Sequence, residues 1–330
     1  MRTHTPMRSH LLFLLLALSA CQRNESPPPP AKAPAASAPA PRAPAVPPVT
    51  ASADAAKLER GRYLVENVLA CGSCHTPRDW ARYGGPASGP ALSGACWDDP
   101  AWELPGRVCA PNITSDPEHG IGRWTDEELM RALRDGTGRD GKTLFPLMPF
   151  LLYREMSDAD AQAVIAWLRQ APATPRASAR SVIPDEVYAQ YKDMAAPMKT
   201  AVPEPAADDV SRGRYLATMA QCAACHAGMD EAGTPFVGGR PLPTPHGPEV
   251  VSNLTPHARG LGAVDEAAFV ARFTAFKDLA PAPARAGQVN KLTMPWGFFA
   301  GLAEADLKAL YRYLRTVPAV APAAPSASGK

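Results

Sequence analysis

The chain has little excess charge of either sign and no long hydrophobic run. It carries 34 Lys and Arg side chains against 32 Asp and Glu, and only 7% of its 330 residues are aromatic. Proteins that bind nucleic acid usually show a basic excess, so this composition argues against nucleic acid as a partner. No apolar segment approaches the roughly 20 residues that a transmembrane helix needs. The length of the chain allows two globular domains of ordinary size.

The amino terminus has the pattern of an export signal. Two arginines precede an apolar stretch at residues 11–18, which is too short to span a bilayer. Residues 18–21 (Leu-Ser-Ala-Cys) resemble the lipobox of bacterial lipoproteins. This resemblance implies that residues 1–20 are a signal peptide and that Cys21 is lipidated. It places the protein at the periplasmic face of a bacterial membrane, in either leaflet. An ordinary cleaved signal with an incidental cysteine is the alternative.

Two segments have the composition of extended chain. Residues 21–53 are rich in Pro and Ala and contain four consecutive prolines at 27–30. Such a stretch has little to bury and favours polyproline II, so we predict a semi-rigid tether. The tail at residues 319–330 is rich in Pro, Ala and Ser and is predicted to be disordered.

The rest of the chain contains one unit twice, which organises the whole interpretation. Four stretches recur in the same order: residues 60–64 and 212–216 (Arg-Gly-Arg-Tyr-Leu), 71–75 and 222–226 (Cys-x-x-Cys-His), 112–114 and 253–255 (Asn-x-Thr), and 148–149 and 294–295 (Met-Pro). We therefore predict domains at residues 54–172 and 208–318. A proline-broken connector at residues 173–207 joins them, with a short helix predicted within it at 185–194.

Each unit is predicted to be mainly α-helical, with long loops between the helices. Thr125 and Glu128 have the spacing of a capping box, and Trp124 and Leu129 are placed as a hydrophobic staple across it. Ser157 is predicted to cap the next helix. No sustained alternation of polar and apolar residues predicts a sheet.

Gly61 and Gly213 fall inside predicted helices, where Gly costs about 1 kcal/mol relative to Ala. Their repetition favours a packing reason over tolerated disorder near a helix start. We predict that each marks a close helix crossing, with Trp167 and Tyr313 as the partners.

The spacing Cys-x-x-Cys-His is the attachment signal for c-type haem. It occurs at Cys71, Cys74 and His75, and again at Cys222, Cys225 and His226. The two thiols form thioethers with the haem vinyl groups, and the histidine supplies an axial nitrogen to the iron. A thioredoxin-like redox pair would need a βαβ context, and a zinc site would need its ligands grouped differently. Two haem c groups are therefore predicted.

The second axial ligand is predicted to be Met148 in the first unit and Met294 in the second. A lone methionine is usually core filler. These two occupy matching positions, and each precedes a proline that stiffens the loop. The alternative ligands are His119, His246 and His257, none of which has a counterpart in the other unit.

The two remaining cysteines, Cys96 and Cys109, lie 13 positions apart in the first unit only. In an exported protein a disulfide is the favoured interpretation. A thiolate ligand to the first haem, and free or modified thiols, are the alternatives. Asn112 and Asn253 match glycosylation sequons but are interpreted as turn formers beside the haem.

The units resemble class I cytochrome c domains in tandem, each with a few helices and long loops wrapped around a covalent haem. More narrowly, they resemble the multi-haem cytochrome c subunits of periplasmic alcohol and gluconate dehydrogenases. The matching stretches are residues 60–64, 212–216, 112–116, 120–128, 145–149 and 236–240. In that family the Cys pairs bind haem, and the His and Met flank the iron. Four departures are visible. Family members commonly carry three haem motifs, and residues 260–264 replace the Gly-Ile-Gly-x-Trp stretch. The Pro-rich lipid tether and the Cys96/Cys109 pair are also not expected of the family.

The resemblance implies a diheme protein that passes single electrons from a periplasmic or membrane-bound dehydrogenase to the respiratory chain. The expected acceptors are quinone, another cytochrome or a terminal oxidase. His/Met ligation leaves no open iron site, and no catalytic side chain is predicted. The alternatives are a diheme enzyme, such as a peroxidase or a thiosulfate-oxidising cytochrome, and a redox-sensing or assembly lipoprotein.

Overall fold

The computed structural model describes residues 55–82, 84–230, 232–277 and 294–322. Helices dominate this part of the chain and its strands are two or three residues long, which confirms the mainly α fold class. The predicted signal peptide, Cys21 and the tether lie outside the described residues. Among the described residues, none of the helices has the length and apolar character to cross a membrane.

The first repeat begins with helix α1, which continues as a π-helical turn and leads into the first Cys-x-x-Cys-His segment. Its described elements are α1 (Ala55–Tyr63, then a π-helical turn at Leu64–Val68), α2 (Cys71–His75), β1 (Ala95–Trp97), β2 (Val108–Ala110), α3 (Asp126–Met130, then a π-helical turn at Arg131–Asp135), α4 (Phe150–Tyr153) and α5 (Asp158–Leu168). Strands β1 and β2 pair antiparallel as a small hairpin.

The second repeat follows the same order after one intervening helix. The connector contains α6 (Asp185–Tyr191), which confirms the short helix predicted there. The second repeat has α7 (Asp209–Met219), α8 (Cys222–Cys225), β3 (Pro241–Leu242), β4 (Glu249–Val250), α9 (Glu266–Thr274), α10 (Trp296–Phe299) and α11 (Glu304–Leu314). Strands β3 and β4 form a short antiparallel pair. Strands of two residues are too short to produce a sustained alternation of polar and apolar residues in the sequence.

The helix starts are fixed by side-chain caps. Thr125 accepts a hydrogen bond from the backbone N–H of Glu128 at 3.2 Å, and the Glu128 carboxylate accepts one from the N–H of Thr125 at 2.8 Å. This confirms the predicted capping box. Ser157 accepts from the N–H of Asp160 at 3.1 Å, as predicted. Such caps satisfy donors that a helix end otherwise leaves without partners.

Two close helix crossings fix the frame of the repeats. At Gly61 a Cβ atom would overlap the carbonyl of Ala163 in α5 and lie 2.9 Å from Cβ of Trp167. At Gly213 it would overlap the carbonyl of Ala309 and lie 2.7 Å from Cβ of Tyr313. The prediction that both glycines mark crossings beside Trp167 and Tyr313 is confirmed. The first helix of each repeat therefore packs directly on the last.

The hydrophobic core runs through both repeats. One cluster of buried side chains extends from Leu64 and Val68 after α1 to Leu307 and Leu310 in α11. Its members come from both halves of the chain, so the repeats share a core instead of enclosing two separate ones. This sharing matters for function because it brings the Cys-x-x-Cys-His segments toward a common boundary.

The connector lies along the first repeat as a strap. The Ser178 hydroxyl accepts from the N–H of Asn112 at 2.5 Å, and Arg107 and Val182 form a β-bridge. The tail of the second repeat behaves similarly, because the carbonyl of Val320 accepts from the Asn253 side chain at 2.8 Å. Residues 319–322 of the predicted tail are described and include this contact, and residues 323–330 lie outside the described residues.

Candidate functional site

The two Cys-x-x-Cys-His segments form short helices, α2 and α8, at matching positions. Each helix follows a residue in the left-handed conformation: Ala70 has φ +49° and Gln221 has φ +60°. Residues other than Gly adopt this conformation at a cost of order 1 kcal/mol or more, and such residues are enriched at functional sites. The same strained entry in both repeats indicates that the direction of each cysteine turn is under functional constraint.

Each histidine of the two turns is held by a backbone carbonyl. Nδ1 of His75 lies 2.7 Å from the carbonyl oxygen of Pro111, and Nδ1 of His226 lies 2.7 Å from that of Ser252. A protonated Nδ1 donates to the carbonyl and leaves the lone pair of Nε2 free for a metal ion. Desolvation lowers the pKa of both imidazoles, which favours this neutral form.

The carbonyls that hold the histidines are presented by two equivalent turns. Asn112 accepts hydrogen bonds from the backbone N–H and the hydroxyl of Thr114 at 2.9 and 2.7 Å. Asn253 accepts the same pair from Thr255, both at 2.7 Å. The interpretation of the asparagines as turn formers is thus confirmed.

The sequence did not predict that the two residues directly before these asparagines would hold the histidines. Pro111 and Ser252 differ in type, so side-chain identity gave no signal. Their signal was positional, since each comes immediately before a repeated Asn-x-Thr. They contribute through the main chain alone.

The four cysteines of the turns form no disulfides, unlike Cys96 and Cys109. Burial raises the pKa of the Cys71 and Cys222 thiols to about 12. Within the described ranges, no three side chains of His, Cys, Asp or Glu gather as a metal-ion site. Two thiols in one short helical turn, followed directly by a histidine, fit covalent attachment of a vinyl-bearing ring.

Met148 and Met294 occupy equivalent places. Both are half-buried against the shared core, and each precedes a proline that stands at the N-cap of a short helix, α4 or α10. The backbone repeats as well: the carbonyl of Met148 accepts from Phe150 at 2.9 Å, and that of Met294 accepts from Trp296 at 2.7 Å. Iron ligation by the two sulfurs stays a prediction.

The alternative histidine ligands are placed differently. Nε2 of His246 lies 2.8 Å from the carbonyl oxygen of Trp80, and Nδ1 of His257 accepts from the N–H of Arg259 at 3.1 Å. His119 lies in a turn where its backbone N–H donates to Asp116 at 2.7 Å. These three environments share no common geometry, unlike those of the two methionines.

Cys96 and Cys109 are joined by a disulfide in the structure. They face each other directly across β1 and β2. The favoured interpretation of these two cysteines thus matches the structure, and a thiolate ligand from this pair does not. This disulfide closes the β1–β2 hairpin, whereas the β3–β4 pair of the second repeat has no disulfide.

Comparison with known protein families finds a match in the second repeat. Residues 210–318, which contain the second attachment turn and Met294, match the family described as Cytochrome c. The match covers the second repeat, and cytochrome c domains hold haem c covalently through this motif.

Curated relatives extend the similarity across the chain. The cytochrome c subunit of alcohol dehydrogenase (quinone) from Gluconobacter oxydans is 28% identical over 292 residues, covering 81% of this chain and 56% of the relative. A diheme cytochrome c-type protein of Cereibacter sphaeroides is 28% identical over 262 residues, covering 76% of this chain and 82% of the relative. Matches of this length run through both repeats.

A third relative is similar over less of its own length. The cytochrome subunit of fructose dehydrogenase from Gluconobacter japonicus is 36% identical over 116 residues, covering 34% of this chain and 22% of that protein. The chain therefore spans about half the length, or less, of the dehydrogenase subunits it matches. What it shares with them is the cytochrome c region, and the resemblance to dehydrogenase cytochrome c subunits is confirmed.

Proposed function

We propose that this protein is an electron carrier with two covalently attached haems, one in each repeat. The observation that carries the proposal is the duplicated histidine geometry, in which His75 and His226 each have Nδ1 2.7 Å from a backbone carbonyl oxygen. The residues that would hold the groups are Cys71, Cys74, His75 and Met148 in the first repeat, and Cys222, Cys225, His226 and Met294 in the second.

The chemistry suits single-electron transfer. Haem c supplies a reversible one-electron couple, and His/Met ligation raises its potential while closing the iron to substrate. The chain contributes attachment, tautomer control and burial. Because neither turn needs an acid, a base or a nucleophile for this task, the carrier role requires nothing beyond the residues already named.

Counting haems tests the two-haem proposal. Purified protein should contain two haems per chain after alkaline pyridine treatment, and the variants Cys71→Ala/Cys74→Ala and Cys222→Ala/Cys225→Ala should each retain one. Cys96→Ala/Cys109→Ala is the matched control, since it removes two cysteines and should keep both haems. Full haem content in either attachment variant would overturn the proposal.

The optical spectrum distinguishes a carrier from an enzyme. If both irons have His/Met ligation, the far-red sulfur-to-iron band of the ferric protein should correspond to two haems. Met148→Leu and Met294→Leu should each remove half of that band. A high-spin haem in the wild-type protein would favour the peroxidase alternative, and turnover of peroxide would then be measured.

We further propose a dehydrogenase as electron donor, and quinone, a cytochrome or a terminal oxidase as acceptor. Support comes from relatives that are named as cytochrome c subunits of alcohol and gluconate dehydrogenases. Membranes from cells with and without the protein should differ in respiration on an alcohol or on gluconate. Restoration by the wild-type chain, but not by His75→Ala/His226→Ala, would support the partner class; equal respiration in both membranes would contradict it.

The lipid anchor is a separate proposal, supported by the lipobox-like residues 18–21 and the apolar stretch before them. An acylated Cys21 would hold the carrier at the periplasmic face of a membrane, close to membrane-bound donors. Cys21→Ser should move the protein from the membrane to the soluble fraction and remove the mass of the acyl chains. Equal partitioning of both proteins would contradict the anchor.

A further inference from the structure

The two repeats are joined by a pair of crossed hydrogen bonds. The Tyr63 hydroxyl of the first repeat donates to Asp306 of the second at 2.6 Å, and the Tyr215 hydroxyl of the second donates to Asp160 of the first at 2.8 Å. Tyr63 and Tyr215 hold the same position in the repeated Arg-Gly-Arg-Tyr-Leu run, and each aspartate is the third residue of the last helix of its repeat. The contact is therefore reciprocal, as in a two-fold dimer.

Each tyrosine oxygen also accepts a hydrogen bond across the same boundary. The N–H of Ala303, at the start of α11, lies 3.1 Å from the hydroxyl of Tyr63. The N–H of Ser157, at the start of α5, lies 3.2 Å from the hydroxyl of Tyr215. Each phenol thus donates and accepts at the first turn of a helix in the opposite repeat.

The two aspartates are charged groups buried at this boundary. Asp306 is fully buried and Asp160 is 4% exposed. Arg60 binds Asp160 through two hydrogen bonds of 2.8 and 2.7 Å, and Arg212 pairs with Asp306. A buried carboxylate requires such neutralisation together with full hydrogen bonding. We call the set Arg60, Tyr63, Asp160, Arg212, Tyr215 and Asp306 the crossed clasp.

The clasp holds together the segments that carry the haem motifs. A Cβ on Gly72, inside the first attachment turn, would lie 3.0 Å from the ring of Phe298 in α10. The Asn67 side chain donates to the Phe298 carbonyl at 3.0 Å. Because α10 directly follows Met294-Pro295, the methionine segment of the second repeat leads straight onto the haem turn of the first.

The reverse contact is present as well. Tyr153 in α4, which directly follows Met148-Pro149, has its hydroxyl 3.4 Å from the side-chain nitrogen of Gln221, next to Cys222. Each attachment turn, or the residue next to it, therefore contacts the helix that follows the methionine of the opposite repeat.

We propose that Tyr63 and Tyr215 are positioning residues for direct electron transfer between the two haems. The inference rests on the two haems of the proposed function. With both haems bound, one electron would pass from one haem to the other, with no bond made or broken and no proton moved. The clasp sets the separation and orientation of the turns, on which the rate of that step depends.

The experiment uses the full-length protein with both haems and the variants Tyr63→Phe, Tyr215→Phe and the double variant. Tyr311→Phe is the matched control, since its hydroxyl donates to the carbonyl of Val264 at 2.8 Å within the second repeat. Inter-haem electron transfer is followed after pulsed one-electron reduction. Magnetic coupling between the two ferric irons is read by electron paramagnetic resonance.

The variants should keep two haems and their far-red absorbance. The double variant should transfer electrons between haems more slowly than the wild type, because both hydrogen bonds that the tyrosines donate across the boundary are lost, and its magnetic coupling should weaken. The single variants should show smaller changes in the same direction, and Tyr311→Phe should match the wild type in both measurements.

Unchanged rate and unchanged coupling in the double variant would overturn the positioning role. If the double variant does not accumulate, the two single variants decide by the same two measurements. An equal slowing in Tyr311→Phe would also overturn it, because the effect would then belong to any lost tyrosine hydroxyl. Fewer than two haems in the wild-type protein would instead overturn the proposed function, so the two failures are distinguishable.

Discussion

The two repeats are alike where they hold the attachment turn and differ around its edge. Both have a left-handed residue before the turn, a histidine held at 2.7 Å by a carbonyl, and a glycine at the helix crossing. Within the described parts of the chain, only the first repeat has a disulfide-closed hairpin, β1–β2, and a capping box, at α3. The shared parts are those that direct the ligands, which indicates that function constrains the centre of each repeat more tightly than its rim.

The two repeats also stabilise the loop between the histidine and the Asn-x-Thr turn in different ways. The first repeat ties residues 95–110 with a covalent bond and with the connector strap, where the N–H of Cys109 donates to Ser181 at 2.9 Å. The second repeat orders the corresponding hairpin with hydrogen bonds, among them the one that the Thr244 hydroxyl donates to the carbonyl of Gly247 at 2.6 Å. Covalent closure acts mainly on the unfolded chain, whereas hydrogen bonds act only in the folded one.

The largest expected effect comes from removing the covalent tie. Cys96→Ala/Cys109→Ala should destabilise the protein by about 3 kcal/mol, since closing a loop of this length lowers the entropy of the unfolded chain. Urea unfolding of the holoprotein measures the change, and adding a reductant to the wild type should reproduce it. An unchanged urea midpoint would show that the hairpin is held by the connector strap alone.

The helix crossings should be equally sensitive in the two repeats. Gly61→Ala and Gly213→Ala each place a Cβ against a backbone carbonyl, and overpacking of this kind costs about 1–3 kcal/mol. Thermal unfolding compares the two variants. Gly297→Ala is the control, because its added Cβ would meet no atom of the described residues within 4 Å. A large loss of stability in only one of the two variants would show that the two helix crossings are not equivalent.

The helix caps should differ between the repeats. Thr125→Ala leaves the Glu128 carboxylate bonded to the N–H of residue 125, so it should cost about 0.5 kcal/mol. Asp265→Ala removes the side-chain cap of α9, at 2.7 Å from the N–H of Ala268, together with a charge that favours the helix dipole, and should cost about 1 kcal/mol. Urea midpoints measure both, and the reverse order would contradict the role given to Glu128.

The smallest effect is a difference in acid sensitivity. Asp158 accepts a 2.6 Å hydrogen bond from the buried Arg134, which lowers the pKa of the carboxyl. A carboxyl whose pKa is lower in the folded than in the unfolded state stabilises the fold while it is ionised. This stabilisation is present above the unfolded pKa, near pH 4, and is lost as the pH falls through the folded pKa. Because Asp158 is 40% exposed, the contribution should stay under about 1 kcal/mol.

Asp158→Asn should therefore flatten the acid limb of the stability profile, as measured by urea unfolding from neutral pH to about pH 3. The matching residue of the second repeat, Glu304, pairs with Lys308 of its own helix at 2.7 Å. Lys308 also lowers the pKa of Glu304, but this pair is fully exposed and screened by solvent, so Glu304→Gln should flatten the profile less than Asp158→Asn. Equal flattening in both variants would show that the two ion pairs are equivalent after all.

Much of the site was readable from the sequence because it depends on local spacing. The attachment turns, the glycine crossings, the capping box and the Asn-x-Thr turns all use residues within one or two helical turns of each other, or repeat at equivalent positions. The carbonyls of Pro111 and Ser252 were not predicted, since the main chain carries no side-chain signature. The left-handed conformation of Ala70 and Gln221 was not predicted either, because neither residue type favours it.

The order of residue types along the chain was enough to predict the duplicated Cys-x-x-Cys-His chemistry, the helical class and the pairing of each glycine with its aromatic partner. It was enough because haem attachment needs fixed residue types at short spacing, and because both members of each glycine–aromatic pair recur at equivalent positions of the two repeats. The shared core, and the meeting of Tyr63 with Asp306 and of Tyr215 with Asp160, became visible only in the folded chain. These residues are separated by 243 and 55 positions, and such contacts arise from how helices pack, which no local pattern encodes.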